Sequence, residues 1–242
     1  MSTLKPVRAR DRVFKAVRQR LITGSHRPGE KIKIRPLAEV LGTSTTPVRE
    51  ALLQLVVAGA LQDDPQHSIR VPVLTADEYA ELIHLRTIIE CDIAVIAASR
   101  ITSDELEYLE ALALELLDQN FKTGLIADFH FALYRAAKMP LAMPLIEGLW
   151  LRTGPYLHYF EGADALKWGR RLRGDMLRGL RTGDAELVRS SLAEDLGRAR
   201  DFIVNAINGN PQVEKPVRRR RKRPAEHTEM ANEIGRERRK TA

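Results

Sequence analysis

The chain has 242 residues, 44% of them hydrophobic and 29% charged, with a net charge of +7; that is too much apolar content for a disordered protein and enough to bury one large core or two modest ones. A single cysteine, Cys91, excludes an intrachain disulfide, and a polar, basic N-terminus without an apolar stretch carries no secretory signal, so the expectation is a soluble cytoplasmic protein with no membrane segment. Residues 1–72 carry 13 Lys and Arg against 6 Asp and Glu, residues 73–210 carry 15 against 21, and residues 211–242 carry 11 against 5, the distribution expected of a nucleic-acid-binding module joined to one that does not bind nucleic acid.

In chain order, Val13, Phe14, Val17, Leu21 and Ile22 predict a helix with one apolar face, ended by Thr23-Gly24. A turn at Pro28-Gly29 follows, then Lys31, Lys33 and Arg35, a cluster suited to phosphate contacts unless it is ordinary solvated charge. Leu37, Ala38, Val40 and Leu41 form a one-sided apolar set, and Gly42 stops this helix because glycine tolerates a left-handed backbone. Ser44 or Thr46 caps the next helix, with Pro47 in its first turn, where a missing N–H costs nothing. Val48, Ala51, Leu52 and Leu55 recur at i, i+3, i+4 and i+7 and predict its buried face. Ser44, Thr45, Thr46 and Arg49 remain at its N-terminal end, where hydroxyls, a guanidinium and free backbone N–H groups meet bases and phosphates.

After Gly59 the pattern becomes extended. A polar turn, DDPQHS, precedes Ile69, Val71 and Val73 alternating with Arg70 and Pro72, which predicts a hairpin with His67 and Ser68 at its tip; Arg70 either reaches a phosphate or is an exposed strand charge. From Thr75 onward only helices are predicted. Thr75 and Glu78 form a capping box for a helix reaching Ser99, Ser103 caps a helix over 106–117, and Phe129 and Leu133 mark a helix over 125–138. A helix over 145–159 is interrupted by Gly154-Pro155, and helices over 166–180 and 185–207 flank a Thr182-Gly183-Asp184 turn. Six antiparallel helices make a bundle, whose interior suits a small ligand. Beyond Pro211 almost no apolar residue remains, and the run Arg218 to Arg223 predicts a disordered basic tail.

The stretch Leu37 to Leu55 closely resembles the GntR family of bacterial transcription regulators. The family signature Leu-Ala-x-x-Leu-Gly-Val-Ser-Arg-Thr-Pro-Val-Arg-Glu-Ala-Leu is matched by Leu37, Ala38, Leu41, Gly42, Ser44, Thr46, Pro47, Val48, Arg49, Glu50, Ala51 and Leu52, while Thr45 stands where the family has Arg. The resemblance implies a mainly α chain in three parts. Residues 1–73 would be a winged helix-turn-helix, with the hairpin as its wing and Ser68 in place of the usual glycine. Residues 74–209 would be an antiparallel all-helical bundle for effector binding and dimerisation, and 210–242 the disordered basic tail. The helical part resembles the FCD domain of the FadR branch, through Arg86 and Glu90 in HLRTIIE, through Phe129, His130, Leu133 and Tyr134, and through the Gly183-Asp184 turn.

Many members of that branch hold a divalent metal with an Asp and a His four residues apart on one helix and two His from later helices. Aligned on Phe129-His130, these positions carry Ile126, His130, Arg173 and Asp195. A guanidinium offers no lone pair, so neither metal nor cofactor is expected. Arg173 would instead supply the positive charge that grips an acidic ligand, with Arg86, His130 and Arg152 completing the pocket and Asp195 orienting Arg173. The alternative is that Arg173 and Asp195 are an ion pair between helices of a domain without an effector. The resemblance thus implies a non-enzymatic regulator that binds double-stranded DNA as a homodimer and responds to a small organic acid, as against a ligand-independent, sequence-tolerant DNA binder driven by the basic ends.

Overall fold

The computed structural model describes residues 9–64, 68–118, 123–160 and 165–209, with 165–167 described as backbone alone. The hairpin tip with His67 and the basic tail lie outside the described residues. Helix α1 (Ala9–Ile22) buries Val13, Val17, Leu21 and Ile22 and packs on α3 (Thr45–Val57), which buries Val48, Ala51, Leu52 and Leu55. Between them lie a two-residue strand, β1 (Lys31–Ile32), and α2 (Ile34–Val40). Gly42 takes φ +59°, the left-handed backbone that turns the chain from α2 into α3. Ser44 occupies the N-cap position of α3 without a side-chain hydrogen bond to the helix. Val40 departs from expectation and is 75% exposed. At 3.6 residues per turn it lies about 110° round the helix from the mean direction of Leu37, Ala38 and Leu41, and α2 is too short to meet a second neighbour.

Strands β2 (Gln62–Asp64) and β3 (Ser68–Arg70) form the predicted hairpin, and β1 adds to it in an antiparallel sheet of order β1-β3-β2. Ile69 faces Ile32 on one side and Asp63 on the other. Pairing continues past Arg70, where Val71 exchanges backbone hydrogen bonds with Gly29 and Glu30. The short strand at Lys31 carried too few residues to show a period of two.

Thr75 then caps α4 (Ala76–Ala98) with the full capping box to Glu78. This helix is the centre of the second domain and packs against α6 (Gly124–Ala136), α7 (Met143–Thr153) and α9 (Ala185–Gly209). Helix α5 (Ser103–Glu115) packs on α6 and on α8 (Ala165–Thr182), and α8 lies along α9. The cap of α5 is Thr102, not Ser103: only from Thr102 does the third helical residue, Glu105, complete a capping box. The interruption at Gly154-Pro155 is more than a kink, since the chain changes there to a 3-10 segment, Gly154–Phe160. Glycine is required at 154, because a Cβ there would lie 2.5 Å from Leu21 O and 2.6 Å from Ile22 O.

The two domains touch along α1. Arg18 pairs with Glu147, the Thr123 hydroxyl donates to Thr23 O at 2.9 Å, and the Leu74 N–H donates to the Tyr156 hydroxyl at 2.6 Å. No helix among the described residues is long and apolar enough to cross a membrane. Cys91 is buried, and burial followed by the neighbouring Glu90 charge pushes its thiol up to about 11. Alkylation of Cys91 by iodoacetamide at neutral pH is therefore expected to be at least about tenfold slower in the native protein than in denaturant; equal rates would contradict this environment.

Candidate functional site

One candidate surface lies on the exposed side of the helix pair. Because the apolar stripe of α3 is committed to the core, Arg35, Thr45, Thr46, Arg49, Glu50, Leu53 and Ile34 line a shallow groove between α2 and α3. Ser44, Lys31 and Lys33 are exposed beside it. Among the described residues, Lys31, Lys33, Arg35 and Arg49 make no ion pair within the chain, which leaves their charge for an external anion. Glu50 and Leu53 were not anticipated; their positions one turn along the exposed side of α3 were the available signal. The hairpin differs from expectation. Ser68 is buried in β3, where its hydroxyl donates to Asp64 Oδ2 at 3.3 Å, so it is no tip residue. Arg70 is half-buried and donates to the same Asp64 oxygen at 2.9 Å and to Gly29 O, which makes it a brace of the hairpin.

The second candidate is a cavity of about 40 Å³ inside the helical domain. Its lining includes Ile126, His130, Arg173 and Asp195, the four positions aligned from sequence, together with Arg86. The aromatic share of the wall, Tyr79, Trp150, Phe160 and Trp168, was not anticipated. Arg86 is not a free cation. It binds Glu90 through Nε at 2.7 Å and Nη2 at 3.1 Å, donates to Thr153 Oγ1, and lies 3.9 Å above the Trp150 ring. Burial works against its charge, and Glu90 more than offsets that. Arg152, predicted to join this group, is exposed on the outer side of α7, and Thr153 takes its place in the wall. One step along a helix turns a side chain by about 100°, so a one-residue error in phase exchanges inside for outside.

Arg173 is only 6% exposed, and its Nη2 has no hydrogen-bond partner among the described residues. It reaches back over Gly169, where an added Cβ would lie 2.8 Å from Nη1. Burial pushes its guanidinium below the ordinary value, opposed by the charge of Asp195. Neither expected relation of Arg173 to Asp195 is present: no ion pair joins them, and Asp195 Oδ2 lies instead 3.4 Å from His130 Nε2. The other ring nitrogen, His130 Nδ1, meets the Tyr134 hydroxyl at 3.0 Å. These residues do not fit a divalent metal. A guanidinium cannot ligate, and among the described residues no three His, Cys, Asp or Glu side chains come together as ligands would.

Known proteins agree with this architecture. Residues 9–71 match the family of bacterial regulatory proteins of the gntR type, and residues 81–198 match the FCD domain. The HTH-type transcriptional regulator McbR of Escherichia coli K12 is 33% identical over 188 residues, covering 74% of this chain and 85% of McbR. The chain belongs to the GntR family. Like other GntR regulators with an FCD domain it is a non-enzymatic, DNA-binding transcription regulator of the FadR type. The solved structure of E. coli McbR/YncC superposes with a TM-score of 0.76 at 30% identity, over 83% of this chain and 99% of that one. A GntR structure from Rhodococcus sp. RHA1 shares the fold, with a TM-score of 0.65 at 24% identity over 81% of this chain and 98% of that one. The Nta operon transcriptional regulator of Aminobacter aminovorans is 33% identical over 112 residues, 44% of this chain and 53% of the relative.

Proposed function

We propose that this GntR regulator binds a near-palindromic DNA site as a cytoplasmic homodimer, and that a small carboxylate-bearing ligand in the helical-domain cavity modulates that binding. The DNA contacts fall to Ser44, Thr45, Thr46, Arg49 and His67 for bases and to Lys31, Lys33 and Arg35 for phosphates, with the β2–β3 hairpin as the wing. The observation that carries the effector half of the reading is Arg173. A guanidinium that is nine-tenths buried, with an unmatched N–H, is costly to leave alone, and an anion in the adjoining cavity relieves that cost. Since Arg86 is matched by Glu90, Arg173 is, among the described residues, the cavity cation with hydrogen-bonding capacity to spare. His130 and Asp195 flank the headgroup, and the aromatic wall receives the apolar remainder of the ligand.

The test is a thermal-shift titration with a set of short aliphatic and aromatic carboxylates. At least one acid is expected to raise the midpoint, and Arg173→Ala is expected to weaken its binding by about tenfold or more, the scale of a lost charge-assisted hydrogen bond. Absence of stabilisation by every acid, or equal stabilisation of Arg173→Ala, sinks the effector reading and leaves the ligand-independent regulator.

A further inference from the structure

A cavity of about 40 Å³ has room for only a few water molecules, whereas sites for organic ligands typically offer about 300 Å³ or more. A ligand of even a few carbon atoms must therefore move a wall. Five α-helices, α4, α6, α7, α8 and α9, supply most of the wall, and the rest comes from the 3-10 segment Gly154–Phe160, whose hydrogen bonding is intrinsically poorer. This segment faces two ways. Leu157 and Phe160 line the cavity. On the other side Leu157 Cβ would lie 3.0 Å from a Cβ at Gly24, just beyond the end of α1, and Gly154 rests on the backbone of Leu21 and Ile22. Tyr156, between these contacts, accepts the Leu74 N–H at 2.6 Å. Leu74 belongs to the connection between the β3 hairpin and α4, and the Tyr156 ring packs 5.1 Å from that of Tyr79, itself part of the cavity wall.

We propose that filling the cavity acts on the DNA-binding domain through the 3-10 segment Gly154–Phe160, by displacing Leu157 from Gly24 and by loosening the hold of the Tyr156 hydroxyl on Leu74. This rests on the reading of the cavity as an effector site and supplies its route of regulation. Tyr156 is a positioning residue, because it touches the connection and not the ligand. The device is a differential one. A state with an expanded cavity and a released α1 end is favoured by the ligand in proportion to its preference for that state, and the orientation of α3, packed on α1, follows.

The route is tested without a ligand, by filling the cavity with protein atoms. Ala199→Leu on α9 and Ile126→Phe on α6 both extend into it, and amide hydrogen exchange reads the result in the full chain. Each folded filler is expected to speed exchange in residues 20–27 and 72–76 by about tenfold, while residues 48–55 in the core of α3 keep their protection. Tyr156→Phe alone is expected to speed exchange in 72–76 and to leave 20–27 at the wild-type rate. Combined with a filler, it removes the further effect of the filler on 72–76 and spares the effect on 20–27, which runs through Leu157. Fillers that fold and leave both segments at wild-type rates overturn the proposal, as does a uniform rise over the whole chain. The two fillers guard against one of them failing to fold. Because no acid is present, a positive result with no acid-induced stabilisation in the thermal titration would retain the route and discard the effector, and the reverse pattern would retain the effector and discard the route.

Discussion

Replacing Glu90 by Ala is expected to destabilise the protein by about 3–5 kcal/mol, the range for breaking a buried ion pair from one side. Glu90 is 0% exposed. Its two oxygens accept from Arg86 Nε and Nη2, from Trp150 Nε1 at 2.9 Å, and from the Tyr134 hydroxyl at 2.5 Å. The Tyr134 hydroxyl remains a donor because burial first, and the Glu90 charge second, push its pKa well above the ordinary value. Removing the carboxylate therefore strands one buried cation and the Trp150 N–H, and leaves the Tyr134 hydroxyl with His130 Nδ1 as its remaining partner, on three helices that help to enclose the cavity. Glu90→Gln keeps the shape and one acceptor but leaves Arg86 unneutralised, so a smaller loss is expected. Arg86→Met combined with Glu90→Leu removes both charges and is expected to recover part of the loss, since a buried pair returns little net stability over apolar groups of similar size. Urea denaturation with a constant slope measures all three. A cost below about 1 kcal/mol for Glu90→Ala would mean that solvent reaches the pair.

The second large effect concerns DNA. Arg49→Ala is expected to lower affinity for the native operator by about 1–3 kcal/mol, five- to 150-fold, and to narrow the preference over a scrambled duplex, as for a guanidinium that reads a base edge. Its side chain is exposed and has no partner in the described residues, so stability should be unchanged. Arg35→Ala, by contrast, is expected to weaken both duplexes alike and to reduce the salt dependence of binding by about one ion, the behaviour of a phosphate contact. Fluorescence anisotropy at several salt concentrations separates the two, with the region upstream of the protein's own gene as the native duplex. A uniform loss with Arg49→Ala would reassign it to the backbone, leaving base reading to Thr45, Thr46 and the unanticipated Glu50.

Most of the local structure was legible because its causes lie within a few residues of each other. The i, i+3, i+4 stripe of Val48, Ala51, Leu52 and Leu55, the left-handed turn at Gly42, and the Thr75–Glu78 capping box are short-range facts of sterics and hydrogen bonding, and each stands where the residues indicated. The Thr102 cap was legible too: Glu105 three residues later discriminates it from Ser103, whose third residue is Leu106. Resemblance over Leu37 to Leu55 then supplied the family, and with it the DNA-binding role.

The cavity was legible only as a set of positions. Sequence alone determined most of the helices of the two domains and the sign of charge that each carries, since periodicity, caps and composition are properties of the chain itself. Tertiary structure alone decided that Asp195 faces His130 instead of Arg173, that Trp150 and Tyr134 converge on Glu90, and that Arg152 points outward while Thr153 points in. It alone decided that Leu157 stands between the cavity and the end of α1. The reason is distance along the chain. Charge pairing and wall contacts depend on the relative rotation and spacing of helices that are far apart in sequence, and a rotation of one residue, about 100°, is enough to exchange a partner for solvent.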